Sequence, residues 1–267
     1  MYNFYYNKII LILCCFIFTQ SNHPYPPLSL ITMPTSGTLP TGNYSFEVLL
    51  INEGGLLPRL SIGITDNLTL GFSWGIQNLI GDDSPHFNKE YPEYHFKYRL
   101  WDEDLTKPGI VIGFDSQGRG KYRYIGDSVV GEENNFYRYD QKSFGYYLMM
   151  SKNYNLMGNF GLHLGINKTL ESEDGDDDLN ILFGIDKELN RDFSLMFEYD
   201  AMLNDNKGEY DYQDLSFGKG LGYLNAGLRW AISENLLLEL NFNDIRRNQN
   251  ISETAHREFK ILYSKKF

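Results

Sequence analysis

About a dozen stretches of this 267-residue chain alternate apolar and polar side chains at every second position. Successive side chains of a strand point to opposite faces, so this pattern makes strands with one apolar and one polar wall. Leu68, Leu70, Phe72, Trp74 and Ile76, for example, alternate with Thr69, Gly71, Ser73, Gly75 and Gln77. Leu224, Ala226, Leu228 and Trp230 alternate in the same way with Tyr223, Asn225, Gly227 and Arg229. Comparable runs begin near residues 43, 57, 93, 110, 144, 156, 181, 193, 236 and 259.

The links between these runs add direction. Brief ones at 65–67, 102–108, 152–155, 187–192 and 233–235 alternate with longer polar ones at 78–92, 116–142, 167–178, 201–220 and 246–256. The link at 52–56 is the one short member of the longer set. Short turns on one side, long loops on the other and an even strand count predict an all-β fold, a transmembrane antiparallel up-and-down barrel of about twelve strands. Both chain ends then fall on the short-turn, periplasmic side.

A soluble β-sandwich or lipocalin-like barrel would show the same alternation with its faces exchanged. Composition separates the two. Aromatics make up 15% of the chain, with 20 Tyr and 18 Phe, although only 42% of residues are hydrophobic. That suits interfacial girdles on strands and argues against membrane helices. Glycines 63, 71, 75, 113, 145, 161, 165, 184 and 227 recur on the polar face, as a crowded lumen requires. Phe259, Ile261 and Tyr263 with the last residue, Phe267, form the apolar face of a terminal strand and are the expected barrel-assembly signal.

At the other end, Lys8 precedes the apolar run Ile9–Phe18, which is too short to span a bilayer as a helix. Residues 1–21 are therefore read as a signal peptide, residues 22–41 as a periplasmic lead-in and residues 42–267 as the outer-membrane barrel. Five of the nine prolines fall within residues 22–40. Both cysteines, Cys14 and Cys15, sit in the signal, so a cleaved chain has neither a disulfide nor a thiolate metal site. Loss of Lys8 leaves 35 acidic against 23 basic residues, which disfavours nucleic acid as a partner.

The polar face supplies the site candidates. Glu47, Glu93, Asp115, Glu198, Asp200 and Glu239 share it with Arg59, Lys97, Arg99, Arg229 and Lys260. Buried charges of both signs must be paired or hydrated. They form either a selective pore lining or, more simply, a network of ion pairs that fills the lumen. His95 and His163 lie on the same face. They allow a metal site or a proton-transfer pair, but no ligand spacing supports one, and hydrogen-bonded lumen histidines are the simpler reading. The acidic run 171–178 lacks calcium-loop spacing and is expected as a solvated loop. Gly118-Arg-Gly-Lys121 has no phosphate-loop context, and Tyr122, Arg123 and Tyr124 after it are candidate contacts for sugar or lipid headgroups.

No G-x-S-x-G, no triad motif and no outward histidine is found, so no catalytic residue is assigned and an enzyme is not expected. Neither cofactor nor metal is expected. The expected partners are outer-membrane lipid and lipopolysaccharide, the barrel-assembly machinery and, as a further candidate, polysaccharide.

Met33-Pro-Thr-Ser-Gly37, Gly109–Gly118, Gly184–Leu189 with Glu198-Tyr-Asp200, and Gly222-Tyr-Leu-Asn225 together resemble the YjbH-like outer-membrane proteins associated with exopolysaccharide production. The resemblance implies a non-enzymatic, transport-related barrel associated with exopolysaccharide export, and transfers no site residue. A general diffusion porin and a structural or adhesive surface barrel with a plugged lumen are the alternatives.

Overall fold

The computed structural model describes residues 27–51, 54–81, 84–125, 135–206, 218–249 and 256–267. In chain order the strands of the first half are β1 (Asn43–Ile51), β2 (Gly55–Thr65), β3 (Leu68–Ser73), β4 (Ile76–Gln77), β5 (His86–Phe87), β6 (Glu93–Trp101), β7 (Gly109–Asp115), β8 (Arg119–Ile125) and β9 (Phe136–Gln141). The second half adds β10 (Gly145–Asn155), β11 (Asn159–Lys168), β12 (Asn180–Glu188), β13 (Phe193–Asp200), β14 (Tyr223–Ala231), β15 (Leu236–Asn243) and β16 (His256–Lys266).

Twelve of these close on themselves. Antiparallel pairing runs β1-β2-β3-β6-β7 and then β10 through β16, and β16 returns to β1 with Asn43 opposite Lys266 and Leu50 opposite Phe259. Closure leaves no barrel edge unpaired, the condition for a sheet to cross lipid. The expected twelve-strand antiparallel barrel is the observed one.

Parity decides which wall is which. Along β12, Ile181 and Phe183 are exposed, whereas Asn180, Leu182, Gly184, Asp186 and Glu188 are buried. Large exposed side chains such as Phe72, Leu148, Leu164, Phe197 and Leu240 cover the outside. Aromatic pairs gather at both ends of this wall. Phe193–Trp230, with centroids 5.8 Å apart, and Tyr44–Phe267, at 5.2 Å, lie at the short-turn end, and Phe114–Tyr146, at 4.9 Å, lies at the other. An apolar outer band between aromatic girdles, around a charged interior, is the organisation of an outer-membrane barrel.

Three elements differ from expectation. The third strand does not run unbroken to Gln77: β3 stops at Ser73, where the Trp74 indole turns to donate to Lys89 O at 2.9 Å. The long link after β7 carries a hairpin of its own, β8–β9, outside the barrel ladder. The largest difference is the lead-in. It is irregular, as its prolines dictate, but residues 28–39 lie inside the barrel rather than in the periplasm, with Leu30, Ile31, Met33 and Leu39 at most 1% exposed.

This segment is a hairpin. The Leu30 amide donates to Met33 O and the Thr35 amide to Leu28 O, with Ser29 bridging Pro34. Its two limbs reach the same end of the barrel: Pro27 lies among residues of the 189–192 turn, and Thr38 and Thr41 bond Asp66 in the β2–β3 turn. Leu30 and Met33 join Val111, Tyr147, Met149 and Leu182 in a buried apolar cluster. Burial of each such aliphatic side chain stabilises the docked hairpin by about 2 kcal/mol.

Candidate functional site

The lumen is divided into a packed half and an open half. Strands β7 and β10–β14 form the packed half. Here inward glycines create room for the hairpin: a Cβ on Gly184 would collide with Leu30 Cδ1 and stand 2.5 Å from Met33 Cε, and one on Gly227 would stand 3.0 Å from Ile31 Cγ1. Inward Val111, Met149, Leu182 and Met196 complete the seat.

The hairpin tip is held by its backbone. Glu198 receives the amides of Ile31, Thr32 and Met33 at 2.9–3.1 Å, the Thr32 hydroxyl at 2.5 Å and Asn225 Nδ2 at 2.8 Å. Three consecutive amides turned towards one carboxylate form an anion-binding nest, here filled by the barrel wall itself. Cations take the carbonyls. Lys97 Nζ donates to Leu28 O at 2.6 Å, Arg229 to Ser29 O at 2.9 Å and Leu30 O at 3.3 Å, and Arg119 and Lys260 reach Ile31 O at 3.4 and 3.3 Å.

The expected ionic network exists around this grip. Glu239, 1% exposed, joins Arg229 at 2.7 Å and Lys260 at 2.8 Å. Arg59 pairs with Asp115 at 2.8 Å and stands opposite Glu47 in the β1–β2 ladder. Glu93 accepts the Tyr139 hydroxyl at 3.1 Å and pairs with Lys89. Asp200 accepts from Asn180 Nδ2 at 2.6 Å and the Met202 amide at 3.0 Å. Arg99 lies apart from this set, pairing at 2.8 Å with Asp102 beside the β6–β7 turn. Phe259, Ile261 and Tyr263 face outward on β16, and the Phe267 amide caps the seam by donating to Gly42 O at 2.8 Å.

The two histidines serve different partners. His95 Nε2 meets Ser61 Oγ at 2.9 Å. His163 bridges Ser151 Oγ at Nδ1 and Asp186 Oδ1 at Nε2, each at 2.7 Å. With the proton on Nε2, Nδ1 accepts from the serine, whose oxygen also accepts the Ser36 amide at 2.9 Å. Ser151 is 2% exposed and covered by the hairpin, so this Ser-His-Asp chain ties three strands to the hairpin. Among the described residues, no group of three or more His, Cys, Asp and Glu side chains is arranged to hold a metal ion.

The open half lies along β1, β2, β3, β6 and β7. A cavity of about 60 Å³ is lined by Glu47, Arg59, Asp115, Gln117, Arg119 and Lys260 among others. A second, of about 50 Å³, reaches His95 and Lys97 and shares Ser29, Thr32, Glu47, Arg59 and Asp115 with the first. Polar walls and this volume suit a few waters.

At the long-loop end a second charged cluster closes over the lumen. Arg138 holds Asp205 through two bonds of 2.7 and 2.8 Å and Asp174 at 2.8 Å, while Lys142 Nζ reaches Asp174, Asp176 O and Asn204 O. Burial opposes the charge on Arg138, but Asp205 and then Asp174 outweigh it and hold the guanidinium above its ordinary value. The acidic run at 171–178 is solvated only in part: Glu173, Asp177 and Asp178 are exposed, whereas Asp174 and Asp176 are buried against Arg138 of β9 and Lys142 just after it.

Asp186 and Glu258 occupy inward positions that the alternation identifies; Arg119 and Arg138 on the β8–β9 hairpin, with Lys142 and Asp205, sit in long links outside the barrel's alternation.

No protein-family model and no characterised protein sequence matches the chain. Among solved structures, the KdgM porin is similar at 13% identity and a TM-score of 0.48, over 84% of this chain and 99% of that one. The KdgM porin in complex with disordered oligogalacturonate matches at 14% and 0.48, over 83% and 98%. NanC porin matches at 11% and 0.40, over 84% and 99%. Values this low transfer no ligand or activity, and the twelve-strand closure rests on this chain's own ladder.

Proposed function

We propose that this barrel is a non-enzymatic outer-membrane channel for small hydrophilic solutes, passing them through the polar half of its lumen beside the resident hairpin. The observation that carries this reading is the pair of adjoining cavities. They lie between the hairpin and a wall bearing both Arg59 and Asp115, while the opposite half is filled by the hairpin against Val111, Met149, Leu182 and Met196 and by buried polar groups such as His163, Asp186 and Glu198.

Planar-bilayer recording on refolded protein tests it, with a heat-dependent gel shift certifying the folded barrel. A small, steady conductance with weak ion selectivity is expected, and replacement of Lys97 by Glu should shift selectivity towards cations. A folded barrel that carries no current and admits no small sugar in liposome swelling would rule the channel out.

A second reading, contact with surface polysaccharide, is favoured by the β8–β9 hairpin. Tyr122, Tyr124, Tyr137 and Tyr139 share one of its faces, with ring centroids 4.9–5.5 Å apart; Tyr139 is buried at its base, and Tyr124 and Tyr137 are the exposed rings. Sugars stack on such surfaces through their apolar faces. Reduced matrix polysaccharide in a deletion strain would support this and the YjbH-like role; unchanged polysaccharide would count against both. Residues 1–21 as export signal, which lie outside the described residues, and the terminal-strand aromatics as assembly signal complete the proposal.

A further inference from the structure

We infer that the N-terminal hairpin is a withdrawable gate: residues 28–39 leave the lumen as a unit on the periplasmic side and swing about Gly42, turning the narrow passage into an open barrel. Four features of the structure carry this. First, the hairpin enters and leaves at the same end, since Pro27 borders the 189–192 turn and Thr38 and Thr41 bond Asp66. It can therefore retract without threading.

Second, the barrel does not need it. The ladder closes through β1–β16 and β1–β2, and the hairpin's own bridge joins Ser29 to Pro34, not to the wall. Third, its tip is gripped by side chains that grasp backbone, chiefly Glu198 on the amides of Ile31, Thr32 and Met33. Such bonds are exchangeable for water, whereas strand pairing would tie the hairpin to closure itself. Fourth, a pivot lies at its foot. Gly42, with φ of +74°, donates to Gly63 O at 3.0 Å and accepts the Phe267 amide at 2.8 Å, so it is the fixed point at which the lumen segment joins the wall and about which the limb before it turns.

The apolar seat sets the balance: Leu30, Ile31 and Met33 become wet on withdrawal, so the closed form dominates at rest. The movement stands apart from the channel reading, and only its consequence for conduction rests on that reading.

The test uses the refolded chain with Cys14 and Cys15 absent and a single Ser36→Cys substitution. Ser36 is 8% exposed in the second limb of the hairpin, against Ser151. A membrane-impermeant maleimide is expected to modify the thiol introduced at position 36 faster than the barrel unfolds by gel shift. Glu198→Gln, which replaces a charged acceptor by a neutral one, should accelerate modification about tenfold. Should that variant fail to fold, Thr32→Ala removes one donor to Glu198 and should accelerate it several-fold. Modification no faster than unfolding in every folded variant would overturn the gate.

Conduction separates the two proposals. Ser36→Cys combined with Ser151→Cys should form a disulfide, because the Ser36 amide lies 2.9 Å from Ser151 Oγ. Brief wide openings in the reduced protein that vanish on oxidation support the gate; wide openings that persist when locked overturn it. Labelling of the single-thiol variant without current keeps the movement and sinks the channel, whereas steady current with that thiol unlabelled keeps the channel and sinks the gate.

Discussion

Glu239 shows what a single side chain carries in this lumen. It neutralises Arg229 and Lys260 together, and both cations also hold hairpin carbonyls. Glu239→Ala leaves two buried cations without their carboxylate and should cost about 3–5 kcal/mol, read as a lower urea midpoint of the gel-shift transition. Gly184 makes the complementary point about space. Gly184→Leu fills the seat of Leu30 and Met33 and should cost about 1–3 kcal/mol by overpacking, checked in the same assay. Outside the membrane, Asp104 in the β6–β7 turn is held down to about 2 by the amides of Lys107 and Thr106 and by the Thr106 hydroxyl. Since its folded pKa lies below the ordinary 3.8, its support of the turn is complete above that value and is lost as pH falls towards 2. Titration of the Asp104 carboxyl by NMR should give a midpoint near 2, and a midpoint near 3.8 would contradict the hydrogen bonding of the turn.

Strands obey a rule that residues taken singly do not. On β11, Leu164 faces lipid and His163 faces the lumen, so adjacent positions answer to opposite solvents. Leu164→Arg near the middle of the outer band should cost about 2–4 kcal/mol in folding into liposomes, while Leu170→Arg in the following loop should cost almost nothing. Equal costs at the two positions would refute the assigned outer face. Parity made the lining legible from sequence: Glu47, Arg59, Asp115, Glu198 and Glu239 point inward because each lies an even number of residues from another inward position. The long links lie outside the ladder, so no barrel register orients their side chains. The pairing of Arg138 with Asp174 and Asp205, which are 36 and 67 residues away, was accordingly invisible.

At the scale of the whole molecule the hairpin converts a wide twelve-strand barrel into a narrow one. Inward Val111, Met149, Leu182 and Met196 would be misplaced in an open, water-filled lumen, and they acquire a purpose only against Leu30, Ile31 and Met33. Loop closure by Arg138 and Lys142 narrows the opposite end. Arg138→Ala leaves Asp174 and Asp205 buried with less compensation, and should loosen this cap enough to raise single-channel current; an unchanged current would place the limiting constriction at the hairpin alone.

Alternation and link lengths by themselves determined the barrel, its strand number and which strand residues face inward, because strand periodicity is local and bilayer thickness and closure leave few alternatives. Only the tertiary structure decided what fills the lumen. The lead-in carries no period, and its destination depends on glycine pockets and apolar side chains contributed by β7 and β10–β14, far along the chain. Contacts between an aperiodic segment and a distant wall follow from three-dimensional complementarity, and no one-dimensional pattern encodes that.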